Sequence, residues 1–300
     1  MSPRLRLTPA AGMLLVVLFW GGNFTAVKLA FTQLDPLAFT AMRFAIGSVV
    51  LWWVVRWLEH PAPLPPGAFW PLVCLGLIGN TVYQVCFILG LDRTSATKSS
   101  LILAGMPAMV TLAAWVLHVE PVTVRQRWAV VVATVGVVVV LLARGGTLGW
   151  GIGPGELLLL GANVLWAAYT LMLRHWKLPM SPLRITAWVT YTGTPGLVLL
   201  GLPGLRHTPW SAVSLAGWGG LAYSTLLSLV AAYIFWNFGV ANLGASRTVV
   251  YNTMVPLVAT VVAMVGLGER PGVFHLVGGA LIIAGVLMTR RPAPAARADR

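Results

Sequence analysis

The sequence predicts an all-α integral membrane protein whose ten transmembrane helices form two inverted five-helix repeats. The first observation is the composition, because 58% of the 300 residues are hydrophobic and 9% are charged, whereas soluble domains carry about a quarter charged residues. The second is a series of apolar stretches close to the roughly 20 residues that a spanning helix needs. The third is an internal repeat of residue spacings. Together they place almost the whole chain in a lipid bilayer.

The apolar stretches are separated by short connections that contain proline or glycine, which are typical helix breakers. We predict ten spans, near 11–31, 36–57, 69–90, 96–117, 126–143, 154–173, 183–201, 213–237, 245–266 and 272–289. The connections are too short to contain a soluble domain.

The basic residues predict the orientation of the chain. Thirteen Lys and Arg residues fall on the side of the N terminus, six fall on the opposite side, and Arg43 lies inside a span. Cytoplasmic loops carry the excess of basic residues, so both termini are predicted to lie in the cytoplasm and the protein in the inner membrane. The formal charge of +13 then reflects topology. With no basic run in the interior and no nucleic-acid-binding motif, we expect no nucleic-acid partner.

One set of spacings occurs twice. Intervals of 11, 13 and 16 residues separate Ala96, Pro107, Glu120 and Gly136, and they recur among Ala245, Pro256, Glu269 and Gly285. Self-similarity of this kind is a sequence signature of repeat architectures and of many transporters.

A second register links the starts of the two units. Trp20 precedes Pro36 by sixteen residues, and Trp166 precedes Pro182 by sixteen. Asp35 and Ser181 stand before these prolines as predicted N-caps. Because each unit has an odd number of spans, the second copy must be inverted in the membrane. The glycine-rich stretch 145–155 divides the chain into repeats at 1–145 and 146–300.

These stretches resemble the two halves of EamA-type carriers of the drug/metabolite transporter superfamily. The resemblance rests on Ala96-Thr97-Lys98-Ser99-Ser100 with Pro107 and Glu120, on Ala245-Ser246-Arg247 with Pro256 and Glu269-Arg270, and on the opening Phe19-Trp20-Gly21-Gly22-Asn23-Phe24 with Lys28, Pro36 and Arg43. It covers essentially the whole chain. The high aromatic content is similar, more narrowly, to that of bacterial amino-acid exporters of the YddG type.

The resemblance implies a ten-helix exporter or facilitator of small metabolites in the inner membrane, with a central cavity between its halves. The chain departs from strict symmetry at Arg43, because the corresponding position of the second half is Val189.

Carriers bind substrate near the midplane, where helices are interrupted and polar groups face a cavity. Polar and aromatic residues at helical spacing predict a substrate site of twelve residues: Trp20, Asn23, Asn80, Tyr83, Gln84, Asn163, Trp166, Tyr169, Tyr233, Trp236, Tyr251 and Asn252. The alternative is that the amides only join helices and that the aromatic residues near helix ends form an interfacial belt.

Two prolines occupy matching positions of the repeat. Pro107 and Pro256 cannot donate a backbone hydrogen bond, so each frees the carbonyl four residues earlier, at Leu103 and Asn252. We predict that they act as hinges beside the cavity. The alternative is a simple kink, which prolines commonly produce in membrane helices.

The acidic residues bear on the coupling of transport. No Asp or Glu is expected at the midplane, and only Glu156 enters a span, by its first turn. Proton-driven carriers usually need a carboxylate there, so the pattern favours facilitated movement of neutral or zwitterionic solutes.

Other charged residues are given structural interpretations. Lys98 and Arg247 either hold a carboxylate or a neighbouring helix end, or extend to the membrane surface. Arg43 is expected to bind backbone carbonyls or a loop acid such as Asp35. Glu120 and Glu269 are expected to cap the helices that follow them.

The first functional hypothesis is export of amino acids, with aromatic or bulky neutral ones preferred. The alternative is proton-coupled efflux of hydrophobic cationic drugs with Glu156 as counter-charge, in which case Glu156→Gln abolishes efflux. A membrane-embedded enzyme or lipid-handling protein is a third class, but its nucleophile, base or metal pattern is missing from the sequence. The predicted partners are a small-molecule substrate and the lipid bilayer. No cofactor or metal is predicted, and an oligomer is not required.

Overall fold

The computed structural model describes residues 8–59, 62–118, 123–144, 147–149, 152–243, 251–252 and 254–288, and most of them are helical. The first part of the chain forms α1 (Pro9–Phe31), α2 (Pro36–Leu58), α3 (Phe69–Gly76), a π-helical segment π1 (Leu77–Val82), α4 (Tyr83–Asp92), α5 (Ala96–Leu103), α6 (Met106–Val116) and α7 (Val124–Leu142).

A small hairpin follows, in which β1 (Ala143–Arg144) pairs antiparallel with β2 (Thr147–Leu148). It is a minor departure from the all-α prediction. The second part comprises α8 (Pro154–Trp176), α9 (Pro182–His207), a 3-10 turn (Trp210–Ala212), α10 (Leu215–Ala222), the π-helical segment π2 (Tyr223–Ala231), α11 (Ala232–Leu243), α12 (Val255–Leu267) and α13 (Val273–Met288).

Within the residues that the structure describes, eight helical stretches are long and apolar enough to cross a membrane. They are Pro9–Phe31, Pro36–Leu58, Phe69–Asp92, Ala96–Ala113, Val124–Leu142, Pro154–Leu173, Pro182–His207 and Leu215–Trp236, and they match the first eight predicted spans. The shorter apolar helices α12 and α13 occupy the places of the last two. The start of the predicted ninth span, including Arg247, lies outside the described residues. The protein is therefore a multi-pass membrane protein with eight such stretches and two shorter apolar helices.

The predicted N-caps of α2 and α9 are confirmed. The Asp35 carboxylate accepts hydrogen bonds from the backbone of Leu37 and Ala38 at 3.0 and 2.8 Å, and the Ser181 hydroxyl accepts from Arg184 N at 3.1 Å. A proline follows each cap at the start of the helix. Its fixed φ suits that position, where its missing N–H costs no helical hydrogen bond.

The breaks and π segments also occur twice in the chain. The starts of α2 and α9, of α3 and α10, and of π1 and π2 each lie 146 residues apart, and those of α6 and α12 and of α7 and α13 lie 149 apart. The predicted spans 69–90 and 213–237 are continuous, because the average hydropathy of a span does not distinguish a π turn from an α turn. Such π turns within α-helices are frequent at functional sites.

The contact between α7 and α13 depends on glycine. A Cβ at Gly136 would lie 2.7 Å from both the Gly278 carbonyl oxygen and the Ile282 nitrogen, and a Cβ at Gly285 would lie 2.6 Å from the Ala133 nitrogen. The two backbones approach closely only because these positions lack side chains, as is common between membrane helices.

Candidate functional site

The first group of predicted site residues surrounds Trp20 of α1. Its ring centroid lies 6.1 Å from that of Tyr233 and 5.3 Å from that of Trp236, both on α11. Its indole N–H donates to the Ser228 carbonyl of π2 at 3.0 Å. Tyr251 packs, like Trp20 and Trp236, against the buried side chains of Met13, Val16 and Ala232. We call Trp20, Tyr233, Trp236 and Tyr251 the Trp20 cluster.

The second group surrounds Trp166 of α8, which lies 146 residues after Trp20. Its ring centroid is 5.3 Å from Tyr83 of α4 and 5.3 Å from Tyr169. Tyr83 also stacks nearly parallel on Phe87, with centroids 6.1 Å apart. We call Tyr83, Trp166 and Tyr169 the Trp166 cluster. Each cluster thus joins a long helix to the helix that follows a π segment.

Arg43 of α2 is buried beside both clusters. Its side chain is close enough to Tyr83 and Tyr233 to interact electrostatically with each, and Tyr169 interacts in the same way with Tyr233. The tyrosines and the guanidinium therefore converge from α2, α4, α8 and α11. Arg43, Tyr83, Tyr169 and Tyr233 define what we call the central site.

Of the two interpretations of Arg43, the structure supports the backbone carbonyl. Arg43 Nε donates to the Ser224 carbonyl of π2 at 3.2 Å, and its guanidinium lies 5.7 Å from the Phe44 ring centroid. Asp35 is instead the N-cap of α2. Sequence reasoning did not include Arg43 or Ser224 in the site, although a basic residue inside a predicted span is itself a signal of function.

Three predicted amides are buried, and each has an oxygen with no hydrogen-bond partner among the described residues. These oxygens are Asn23 Oδ1, Gln84 Oε1 and Asn163 Oδ1. The Asn163 amide nitrogen donates to the Ile102 carbonyl at 2.9 Å, so this residue also joins α8 to α5. Because buried polar atoms normally find a partner, these three oxygens are acceptors that a bound ligand could engage.

The other two predicted amides differ from each other. Asn80 lies in π1, and its Cβ would be 2.7 Å from a Cβ placed at Gly193 of α9, so its place is at a helix contact. Asn252 Oδ1 is buried without a partner among the described residues.

The predicted hinge prolines lie at helix breaks. The helix from Ala96 stops at Leu103, and α6 restarts at Met106 with Pro107 in its first turn. Pro256 likewise lies in the first turn of α12. At the first break, the Ile102 carbonyl accepts the hydrogen bond from the Asn163 amide. Broken helices at corresponding positions are a feature of transporter binding sites.

A buried ion pair joins Lys98 of α5 to Glu156 of α8. Lys98 donates to Glu156 at 2.7 Å, with both side chains buried, and to the Leu141 carbonyl at 3.0 Å. Lys98 therefore holds a carboxylate, one of its two predicted roles, and does not extend to the surface. This is the only ion pair within the described part of the chain.

The expected role of Glu269 is wrong. Its carboxylate accepts from the backbone of Ala96 and Thr97 at 2.6 and 2.9 Å, so it caps α5, a helix 173 residues earlier, and not the helix that follows it. A carboxylate at this position satisfies free N–H groups and opposes the positive end of the helix dipole. Glu120 lies outside the described residues.

Two shallow apolar grooves lie on the outer face between α2 and α9, lined in part by Ser48, Tyr191 and Pro195. None of the predicted site residues lines them. In the described ranges no group of three or more His, Cys, Asp or Glu side chains could hold a metal ion.

Apolar helices broken at corresponding positions around a buried polar and aromatic site define a membrane transporter. The chain belongs to the EamA-like transporter family, which matches residues 8–142 and again residues 153–291. The family is one of transporters and not of enzymes.

Curated relatives have the same breadth of match. The chain is 27% identical to an uncharacterized transporter of Bacillus subtilis, with 90% of this chain and 89% of the relative covered. It is 28% identical to a probable terminal-alkyne amino-acid exporter of Streptantibioticus cattleyicolor, with 93% and 92% covered. It is 29% identical to an S-adenosylmethionine/S-adenosylhomocysteine transporter of Chlamydia muridarum, with 86% and 85% covered.

The fold is also found among solved structures. One crystal structure superposes on this chain with a TM-score of 0.64 at 20% sequence identity. The match covers 93% of this chain and 95% of the other chain. At this identity the likeness concerns the fold alone.

Proposed function

We propose that the protein exports amino acids, preferentially aromatic or bulky neutral ones, across the inner membrane by facilitated alternating access. The observation that carries the proposal is that tyrosines of both the Trp20 cluster and the Trp166 cluster lie near Arg43 and form the central site with it. Aromatic rings bind apolar and aromatic side chains by stacking and edge contacts. The unpartnered amide oxygens of Asn23, Gln84 and Asn163 are acceptors suited to an α-ammonium group.

The two named relatives support the amino-acid part of the proposal. One is named for an alkyne amino acid and the other for S-adenosylmethionine and its homocysteine analogue. Both classes of solute carry an α-amino and an α-carboxyl group, although their side chains differ greatly. The zwitterionic head is therefore the shared chemistry, and the aromatic preference rests on the clusters of this chain.

The proposed architecture is two inverted halves, residues 1–145 and 146–300, with both termini in the cytoplasm. The matching offsets of the helix starts, π segments and breaks support it, as do the two separate family matches. Rocking of one half against the other would expose the central site alternately to the two sides.

The alternative of proton-coupled efflux of cationic drugs requires an acid that meets the substrate. Glu156, the acid proposed for that role, is bound by Lys98, and no observation places it near the aromatic clusters. We therefore favour facilitated export.

Transport in proteoliposomes tests the proposal. Liposomes loaded with phenylalanine should release it through the protein down its own gradient, at a rate unchanged when an uncoupler collapses any proton gradient. Strict dependence on an imposed proton gradient would contradict the facilitated mechanism, and release of no amino acid would contradict the proposed substrate class.

Removal of the Trp166 ring should weaken binding of aromatic substrates. For Trp166→Ala we expect the half-saturating concentration for phenylalanine transport to rise about tenfold. The cause is the loss of ring contacts worth about 1.4 kcal/mol. The rise for alanine should be much smaller, because it has no ring. The matched control is Trp128→Ala, since Trp128 is 62% exposed on α7. Equal losses for both amino acids would show that Trp166 only supports the fold.

Replacing a proline at a break should affect movement more than binding. For Pro107→Ala we expect the maximal transport rate to fall about tenfold while the half-saturating concentration changes less than about twofold. The physical reason is that alanine allows α5 and α6 to join into one stiffer helix. Pro195→Ala is the control, because Pro195 lies inside the continuous helix α9. Parallel loss of rate and affinity would indicate a purely structural proline.

A further inference from the structure

Arg43 is a buried cation without a carboxylate partner among the described residues. The residue is 4% exposed, and its Nη1 has no hydrogen-bond partner there. Among the described residues, its hydrogen bond runs from Nε to the Ser224 carbonyl. A charge buried in a membrane protein is costly unless it is paired, and such residues mark substrate or ion sites.

The surroundings of Arg43 supply further hydrogen-bond donors. The Ser224 hydroxyl is fully buried and has no partner among the described residues, and the same residue holds Arg43 through its carbonyl. The groups acting electrostatically on Arg43 are the hydroxyl-bearing rings of Tyr233 and Tyr83. A buried guanidinium beside buried hydroxyl groups supplies the donors that a carboxylate needs, because a carboxylate can accept two hydrogen bonds from arginine in a bidentate manner.

We propose that the Arg43 guanidinium binds the carboxylate of the transported solute, with Ser224 Oγ as an additional donor. The inference deepens the proposed function and rests on it, because it assumes that the solute enters the central site. It adds a requirement that the aromatic clusters do not impose: the substrate must carry a carboxylate. A solute with the same ring and ammonium group but no carboxylate should then bind much more weakly.

The arrangement also orients the substrate. Val189, the position of the second half that corresponds to Arg43, is a buried apolar residue packed against α3. At the position that corresponds to Arg43, the second half therefore offers no group that binds a carboxylate. The carboxylate is held near α2 and π2, the ring lies between the aromatic clusters, and the ammonium group faces the unpartnered amide oxygens.

Three related compounds separate these contributions. Phenylalanine carries ring, ammonium and carboxylate, phenethylamine lacks the carboxylate, and 3-phenylpropionate lacks the ammonium. Each is measured as an inhibitor of phenylalanine counterflow in proteoliposomes, and each is also tested for a shift in the melting temperature of the purified protein. For the wild type we expect phenethylamine to be about 10- to 100-fold weaker than phenylalanine, as for loss of one hydrogen bond to a charged group.

The variants assign the effect to Arg43. Arg43→Met should weaken the binding of phenylalanine and of 3-phenylpropionate about 10- to 100-fold and leave the binding of phenethylamine unchanged. Arg43→Lys keeps the charge and should recover part of the lost affinity. Ser224→Ala should weaken the binding of phenylalanine and 3-phenylpropionate but not that of phenethylamine. Arg56→Met is the control, because Arg56 lies on the same helix at its exposed end. Should Arg43→Met not fold, the wild-type series and Ser224→Ala decide the question.

The inference is overturned if the wild type binds phenethylamine as tightly as phenylalanine. It is also overturned if the variants weaken the binding of phenylalanine and of phenethylamine equally. Failure of the proposed function gives a different pattern. In that case no amino acid binds, and an Arg43-dependent effect of 3-phenylpropionate would still support the carboxylate site. If no carboxylate-bearing compound binds the wild type, both proposals are wrong.

Discussion

Replacing Glu156 by glutamine is expected to destabilise the folded protein by about 3–5 kcal/mol, because it leaves the buried Lys98 ammonium without the Glu156 carboxylate. The pair is 2.7 Å long and both side chains are less than a tenth exposed. Lys98→Met should have a similar cost, since it leaves the carboxylate buried without the ammonium. Thermal unfolding of the purified protein in detergent, followed by loss of the monodisperse chromatographic peak, measures both effects.

The double variant gives the decisive comparison. Lys98→Met combined with Glu156→Gln removes both charges, so it should be considerably more stable than either single variant, since uncharged replacements of a buried pair are often close to neutral. Arg125→Gln, at an exposed position near the start of α7, should change the stability little. Additive losses in the double variant would contradict a coupled pair.

The same variants bear on the drug-efflux alternative. Under the drug-efflux alternative Glu156→Gln was expected to abolish efflux, but the observed ion pair predicts a stability defect for either substrate class. Loss of transport in the single variant is therefore no evidence for a counter-charge. Recovery of transport in the double variant would show that the acid supports the fold and does not bind a cationic substrate.

Gly136→Ala is expected to lower stability by about 3 kcal/mol, near the upper end of the usual cost of overpacking. The new Cβ would lie 2.7 Å from two backbone atoms of α13, the Gly278 oxygen and the Ile282 nitrogen. Backbone atoms cannot move aside as a flexible side chain can, so the helices must separate. The melting temperature in detergent measures the effect.

The control for this substitution has the opposite expected sign. A Cβ at Gly219 of α10 would meet no neighbouring side chain or helix within 4 Å. Gly219→Ala should therefore be neutral or stabilising by up to about 1 kcal/mol through its better helix propensity. A comparable loss at both positions would mean that the close contact of α7 and α13 is not what requires Gly136.

Much of the fold follows from sequence periodicity. The apolar stretches, the capping of α2 by Asp35 and of α9 by Ser181, and the corresponding breaks at Pro107 and Pro256 all depend on local chemistry that a sequence displays. The residues of the aromatic clusters could also be identified from the sequence, because Trp20 and Trp166 occupy the same place in the repeat and lie within largely aliphatic helices.

Other features depend on tertiary contacts that spacing does not reveal. The two π segments lie within stretches apolar enough to span a membrane, so average hydropathy does not distinguish them from α-helix. Glu269 precedes α13 in sequence but caps α5, which the fold brings to it from 173 residues away. Lys98 offered two equally reasonable roles until the position of Glu156 was known. The role inferred for Arg43 required its unpartnered Nη1 and the nearby Ser224 hydroxyl.

Counterflow in proteoliposomes across neutral, aromatic, acidic and basic amino acids tests the central claim most directly. Liposomes preloaded with unlabelled phenylalanine take up labelled phenylalanine, and each other amino acid is added as competitor without an ion gradient. We predict transient accumulation of label, competed most strongly by aromatic and bulky neutral amino acids and weakly by acidic and basic ones. Absence of counterflow for every amino acid, or competition led by hydrophobic cations without a carboxylate, would contradict the proposed function.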